Sequence, residues 1–156
     1  MKKFIRENPE EFIAAILIVV TTSLVLLNVF FRYFLNSGIY WSEEVATTCF
    51  VWSVFVGAAG AYRNGAQLGI DLLVNKLPAA ASRAVKLIVQ CILLLINAYI
   101  LYLAVIYVQR TYTIATSVLA VSSAWVSSSL IVGFGLTTVY SLMHLVNMFR
   151  RTGKEA

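Results

Sequence analysis

The chain has 156 residues, 60% of them hydrophobic and 12% charged, with a net charge of +5 and a mean hydropathy of +0.84. A charged fraction this far below the roughly 25% of soluble domains excludes an ordinary water-soluble fold. The positive charge does not point to nucleic acid, because the basic residues gather at the ends of four apolar runs, where they read as membrane-topology signals.

The opening, MKKFIRENPEEF, has the basic start of a secretory signal. However, it carries Glu7, Glu10 and Glu11, and no small-x-small cleavage site follows before Arg32. It is expected to be retained, with Asn8 as a helix N-cap, Pro9 at the first helical position, and Glu10 and Glu11 in the positive first turn. The first span then covers residues 12–31, matching the roughly 20 residues that cross about 30 Å of hydrocarbon.

The next stretch, FFRYFLNSGIYWSEEVATTCF, inserts Arg32, Glu43 and Glu44 between two apolar runs. Charge is expensive at the centre of a bilayer, so these residues mark either a polar site or the membrane edge. The edge is expected. Arg32 can snorkel at the end of the first span, with Tyr33, Tyr40 and Trp41 at the depth of an aromatic belt. Asn36, Ser37 and Gly38 make the turn, Ser42 is the expected N-cap of the second helix, and Glu43 and Glu44 fall in its first turn, where the helix dipole favours them. An ordinary capped turn accounts for all of this. A second reading stands beside it, in which Arg32 pairs with one of the glutamates and clamps the first two helices or meets a partner subunit.

The second span, residues 45–62, carries Cys49, Ser53, Gly57 and Ala61 at i, i+4 spacing. In the fourth, residues 125–148, Ser129, Gly133, Thr137 and Ser141 repeat the pattern. Rows of small residues let membrane helices approach closely, and their hydroxyls can bond across the contact, so both rows are expected to be packing seams. Between the second span and the third, residues 87–108, lies YRNGAQLGIDLLVNKLPAAASRAVK. Ile70, Leu73, Val74 and Leu77 recur there at helical spacing among the polar Asp71, Asn75 and Lys76, which predicts a short helix over residues 69–77 in the interface plane. Pro78 breaks it and can open the third helix.

Lys2, Lys3 and Arg6 precede the first span; Arg63, Lys76, Arg83 and Lys86 lie between the second and third; Arg150, Arg151 and Lys154 follow the fourth. The other connectors carry only Arg32 and Arg110. The positive-inside rule therefore predicts an all-α, four-helix membrane bundle with both termini cytoplasmic. Beyond the small-residue rows, polar residues within the spans include Thr21, Thr22, Asn28, Gln90, Asn97 and His144. No acidic residue falls at mid-membrane depth, where a proton-coupled carrier keeps one. Cys49 and Cys91 share no metal or redox spacing and read as packing residues. With no Gly-rich phosphate loop and no nucleophile–base pair, neither an enzyme nor a resident cofactor or metal is expected.

The residues R-Y-F-x-N-x-x-x-x-W-S-E-E-x-A from Arg32, followed by FVWSVFVGAAGAYRNGAQLGIDLL and then LP, resemble the small membrane subunit, DctQ-like, of tripartite ATP-independent periplasmic (TRAP) transporters. Arg32, Trp41, Glu43, Glu44, Gly57, Gly65 and Asp71 match recurring positions of that family. Where its members often place prolines at the outer start of the fourth helix, this chain has AVSSAWVSSSL. The resemblance implies a multi-pass protein of the bacterial inner membrane that anchors a large multi-span subunit. That subunit would carry out sodium-coupled uptake of an organic acid delivered by a periplasmic substrate-binding protein, with membrane lipids around both. Two other readings remain: a four-helix anchor for a redox enzyme, whose haem ligands could not both come from a chain with one histidine, and a small self-assembling exporter, which would need a buried acid.

Overall fold

The computed structural model describes residues 8–64 and 79–152. They form α1 (Pro9–Phe34), α2 (Ser42–Arg63), α3 (Ala79–Thr111) and α4 (Ala124–Thr152). Each is long and apolar enough to cross a membrane. Each also extends past the apolar run that predicted it, because backbone hydrogen bonding continues into the interface where hydropathy has already fallen. At about 1.5 Å per residue, the 26 residues of α1 span about 39 Å, more than the hydrocarbon alone requires. The predicted interfacial helix over residues 69–77, with Asp71, lies outside the described residues.

Helix α1 begins as expected, with Pro9 in its first turn and Asn8 at the N-cap position, although the Asn8 side chain makes no capping bond. Helix α2 begins differently. Ser42 is its first helical residue, and Trp41 occupies the cap position without a side-chain bond. The Ser42 hydroxyl instead donates back to the Ile39 carbonyl at 2.8 Å. The expected N-cap is thus displaced by one residue, because the preceding turn already presents a carbonyl that competes for the hydroxyl. That turn uses Asn36 at φ 49°, a left-handed position that asparagine tolerates better than most residues.

The helices do not close into a bundle. Among the described residues, the backbone of α1 lies against α2, α2 against α4, and α4 against α3, leaving α1 and α3 at opposite margins of an open row. Lipid can cover an apolar helix face as well as another helix can, so nothing forces the row to close. Connectors 35–41 and 112–123 lie at one end of the row, called here the loop end. The starts of α1 and α3 and the ends of α2 and α4 lie at the other, the terminal end.

Small residues set the close contacts. A Cβ built on Gly133 of α4 would lie 2.8 Å from the Phe55 Cβ and 3.1 Å from the Phe55 carbonyl oxygen of α2, so only glycine fits without a shift. On another side of α2, Gly57 faces the Ala14 Cβ and Gly60 faces Glu11 and Glu10 of α1, at 3.2–3.3 Å. Ser53, Ser129, Gly133 and Ser141 are buried, Gly57 and Thr137 half-buried, and Ala61 exposed, whereas Ala46, Val56, Ala59 and Gly60 are also enclosed. The hydroxyls mostly do not bond across the contacts. Ser53 donates to Phe50 O at 2.7 Å, Ser129 to Val126 O at 2.7 Å and Thr137 to Gly133 O at 2.8 Å, each within its own helix. Their contribution is small volume, and the polar ties between helices come from elsewhere.

Candidate functional site

At the terminal end, Arg63 in the last turn of α2 donates to the Glu10 carboxylate of α1 at 2.9 Å. The Tyr140 hydroxyl of α4 donates to the other Glu10 oxygen, and the Arg63 guanidinium lies 5.9 Å from the centroid of the Tyr140 ring. One carboxylate therefore gathers three helices. Beside it, the Asn64 amide donates to Glu11.

A second knot lies deeper and reaches α3. The buried Gln90 amide nitrogen lies 3.0 Å from both the Ser141 carbonyl oxygen and its hydroxyl, and 3.2 Å from the Tyr62 hydroxyl. Tyr62 donates to the Ser141 hydroxyl at 3.1 Å, and the His144 ring packs edge-on against Tyr62 at 6.2 Å. His144 is thus held in a packed cluster. Long side chains bridge α2 to α3 where the backbones do not approach.

At the loop end, the predicted residues separate into two environments. Glu44 turns toward connector 112–123, where one carboxylate oxygen accepts the backbone N–H groups of Val118 at 2.9 Å and Leu119 at 3.3 Å, and the Thr116 side chain also bonds Glu44. The connector is folded to receive it. Thr116 N–H donates to Val121 O at 2.8 Å, Ser123 N–H to Ile114 O at 2.8 Å, Ala115 and Ser122 form an isolated antiparallel bridge, and Ala120 takes φ 52°. Successive N–H groups converging on one anion form a nest. A cavity of about 310 Å³ lies beneath, lined among others by Val45, Thr48, Leu119 and Trp125. The Trp125 carbonyl oxygen accepts from the Trp52 indole at 3.3 Å, tying α4 to α2.

Glu43 turns the other way. Its carboxylate accepts the Asn28 amide at 3.4 Å, while Asn28 Oδ1 accepts the Ile39 N–H at 2.8 Å. Arg32 is exposed and, among the described residues, forms no ion pair with Glu43 or Glu44. Trp41 is 48% exposed at the rim. The intrachain ionic clamp is therefore at the terminal end, between Glu10 and Arg63, and not between Arg32 and the loop-end glutamates. A sequence signal for it existed: the two residues are opposite in charge and lie at the same membrane boundary on consecutive antiparallel helices. Among the described residues no cluster of histidine, cysteine or acidic side chains could hold a metal ion.

Four membrane-crossing helices, with charged groups confined to their ends and polar ties that connect helix to helix, define a multi-pass membrane subunit whose polar residues hold the chain together. The chain belongs to the DctQ component family of the tripartite ATP-independent periplasmic transporters, which matches residues 21–151; it is a TRAP small permease subunit of the inner membrane. It is 30% identical over 115 residues to a TRAP transporter small permease protein of Haemophilus influenzae, covering 74% of this chain and 70% of that protein. It is 27% identical over 150 residues to the sialic acid TRAP transporter small permease SiaQ of Vibrio cholerae, covering 96% and 87%. With the C4-dicarboxylate small permease DctQ of the same organism it is 35% identical over 99 residues, a match covering 60% of this chain and 43% of that protein.

Proposed function

We propose that this subunit is the anchor on which a large multi-span permease subunit works, in sodium-coupled uptake of an organic acid delivered by a periplasmic binding protein. Both termini lie in the cytoplasm, and the loop end faces the periplasm. The observation that carries this reading is helix α1, a 26-residue apolar helix with no buried residue. It is fixed along one side and through Glu10, and it leaves the rest of its circumference open to a lateral partner. The charged groups of the four helices lie near their ends, which suits support better than passage of an ion. The names of two relatives, one for sialic acid and one for C4-dicarboxylates, both denote carboxylates and support an organic-acid cargo. Glu44 and its connector, with Trp41 exposed nearby, form the edge open to a docking protein; Asp71 is assigned to the cytoplasmic side.

Reconstitution in liposomes tests the proposal. Under an inward sodium gradient, the chain alone is expected to move no organic acid, and uptake is expected only when the large subunit and the binding protein are both added. Uptake by the isolated chain would overturn the anchoring role.

A further inference from the structure

Arg32 and Glu43 line the same two adjoining clefts at the loop end, of about 430 and 140 Å³, yet they do not pair with each other. Asn28 explains why the anion stays in place. Its amide holds the Glu43 carboxylate while its carbonyl oxygen is fixed by the Ile39 N–H. Asn28 and Arg32 are four residues apart on α1 and so lie on one face. Val25 and Val29 continue the wall of the smaller cleft along α1, with exposures of 48% and 47%. The rim carries Tyr40, which is 86% exposed. An apolar track therefore runs along a lipid-exposed helix into a recess that holds one cation and one anion at the membrane boundary.

Both charges sit where dielectric screening is weaker than in bulk water, and neither is neutralised by the other. A guanidinium fork matches phosphate oxygens in geometry and charge, and a carboxylate accepts hydrogen bonds from a primary ammonium. We propose that this recess binds the headgroup of a phospholipid carrying both a phosphate and a primary ammonium, of the phosphatidylethanolamine type. Arg32 donates to the phosphate, Glu43 accepts from the ammonium, and an acyl chain lies along Val29 and Val25. Such a zwitterion compensates both protein charges at once. An anionic headgroup without an amine would satisfy Arg32 but set its phosphate against Glu43, and a choline headgroup has no N–H to donate.

The test uses the full chain in nanodiscs of equal parts phosphatidylethanolamine, phosphatidylglycerol and phosphatidylcholine. Lipid retained after mild detergent release is measured by native mass spectrometry. The ethanolamine lipid is expected to be retained severalfold over the other two. Arg32→Ala is expected to abolish that retention, and Glu43→Gln to erase the preference over phosphatidylglycerol while phosphate-dependent retention persists. Glu43→Gln is exposed and nearly isosteric, so it keeps the test decisive even if Arg32→Ala folds poorly. Equal retention of the three lipids, or retention unchanged in both variants, overturns the proposal. So does displacement by soluble O-phosphoethanolamine that also binds the lipid-free chain, which would assign the recess to a soluble ligand. Loss of the large subunit from the variants with lipid retention intact would assign it to a protein contact and equally overturn it.

Discussion

The Arg63 guanidinium and the Glu10 carboxylate, 2.9 Å apart, join the last turn of α2 to the first turn of α1 across 53 residues of sequence. Glu10 is the more enclosed partner, with a side chain 12% exposed against 37% for Arg63. Losing Arg63 would leave a shielded carboxylate with the Tyr140 hydroxyl but, among the described residues, no cation. Both Glu10→Gln and Arg63→Ala are expected to destabilise the chain by about 1–2 kcal/mol, with Arg63→Ala the larger. The double variant should fall short of the sum, because each change already removes the shared contact. Thermal unfolding in detergent, followed by size-exclusion chromatography, measures this; strictly additive losses would mean that the pair does not couple the helices.

The glycines offer a graded test of helix contact. Alanine in place of glycine favours a helix by roughly 1 kcal/mol when nothing else changes. At Gly135 the nearest atom to a new Cβ is 4.0 Å away, so Gly135→Ala should be neutral to stabilising. At Gly57, with the Ala14 Cβ at 3.3 Å, the gain and the crowding should nearly cancel. At Gly133 the new Cβ meets Phe55 at 2.8 Å and must push α4 away from α2, with an expected loss of about 1–3 kcal/mol. Melting temperatures should rank the three in that order, and a Gly133→Ala protein as stable as the parent would contradict the close approach.

Glu44 organises the connector that receives it. In Glu44→Ala the amides of Val118 and Leu119 lose their acceptor, and hydrogen exchange over residues 116–121 should accelerate severalfold while the helices remain protected. Glu44→Gln keeps an acceptor oxygen without the charge and should fall between the two. Unchanged exchange in Glu44→Ala would show that the connector holds its shape without the carboxylate.

The spans and the family were legible in the sequence, because the lipid requirement writes itself into long apolar runs and Arg32 to Pro78 carry a recognisable pattern. Pro9 announced the start of α1 for the same local reason. What joins the helices was not legible. Gln90 and Ser141 are 51 residues apart, and Glu44 and Val118 are 74 apart, so their meeting depends on α4 lying between α2 and α3, an adjacency that hydropathy does not encode. Arg32, Glu43 and Glu44 looked like one cluster because they are close in sequence. Helix geometry sends Glu44 to the 112–123 connector and leaves Glu43 beside Arg32. The folding of connector 112–123 was not legible either, because it rests on backbone bonds within residues 114–123 and on the Glu44 carboxylate, which is distant in sequence.

Charge asymmetry makes a topological prediction. Single cysteines at Gly38 and Ser117, in a background lacking Cys49 and Cys91, should react with an impermeant thiol reagent added to intact cells, and one at Lys76 should react only after permeabilisation. Labelling of position 76 from outside would invert the orientation.

Gln90 supplies the sharpest test of how α3 is held, because its amide reaches both α2 and α4. It is only 5% exposed, and its partners Ser141 and Tyr62 can still bond each other when it is removed. Gln90→Leu should therefore leave no orphaned hydroxyl and cost only the interhelical bonds, on the order of 1 kcal/mol, since hydrogen bonds between membrane helices average well below 2. Gln90→Ala should cost more, because it also opens a void between α3 and α4. If α3 is held chiefly by the polar knot, cysteine pairs placed across α3 and α4 should cross-link more slowly in Gln90→Leu; if apolar packing alone holds it, only Gln90→Ala should show the change. Equal cross-linking rates in the parent and in both variants would remove Gln90 from any part in fixing the margin of the row.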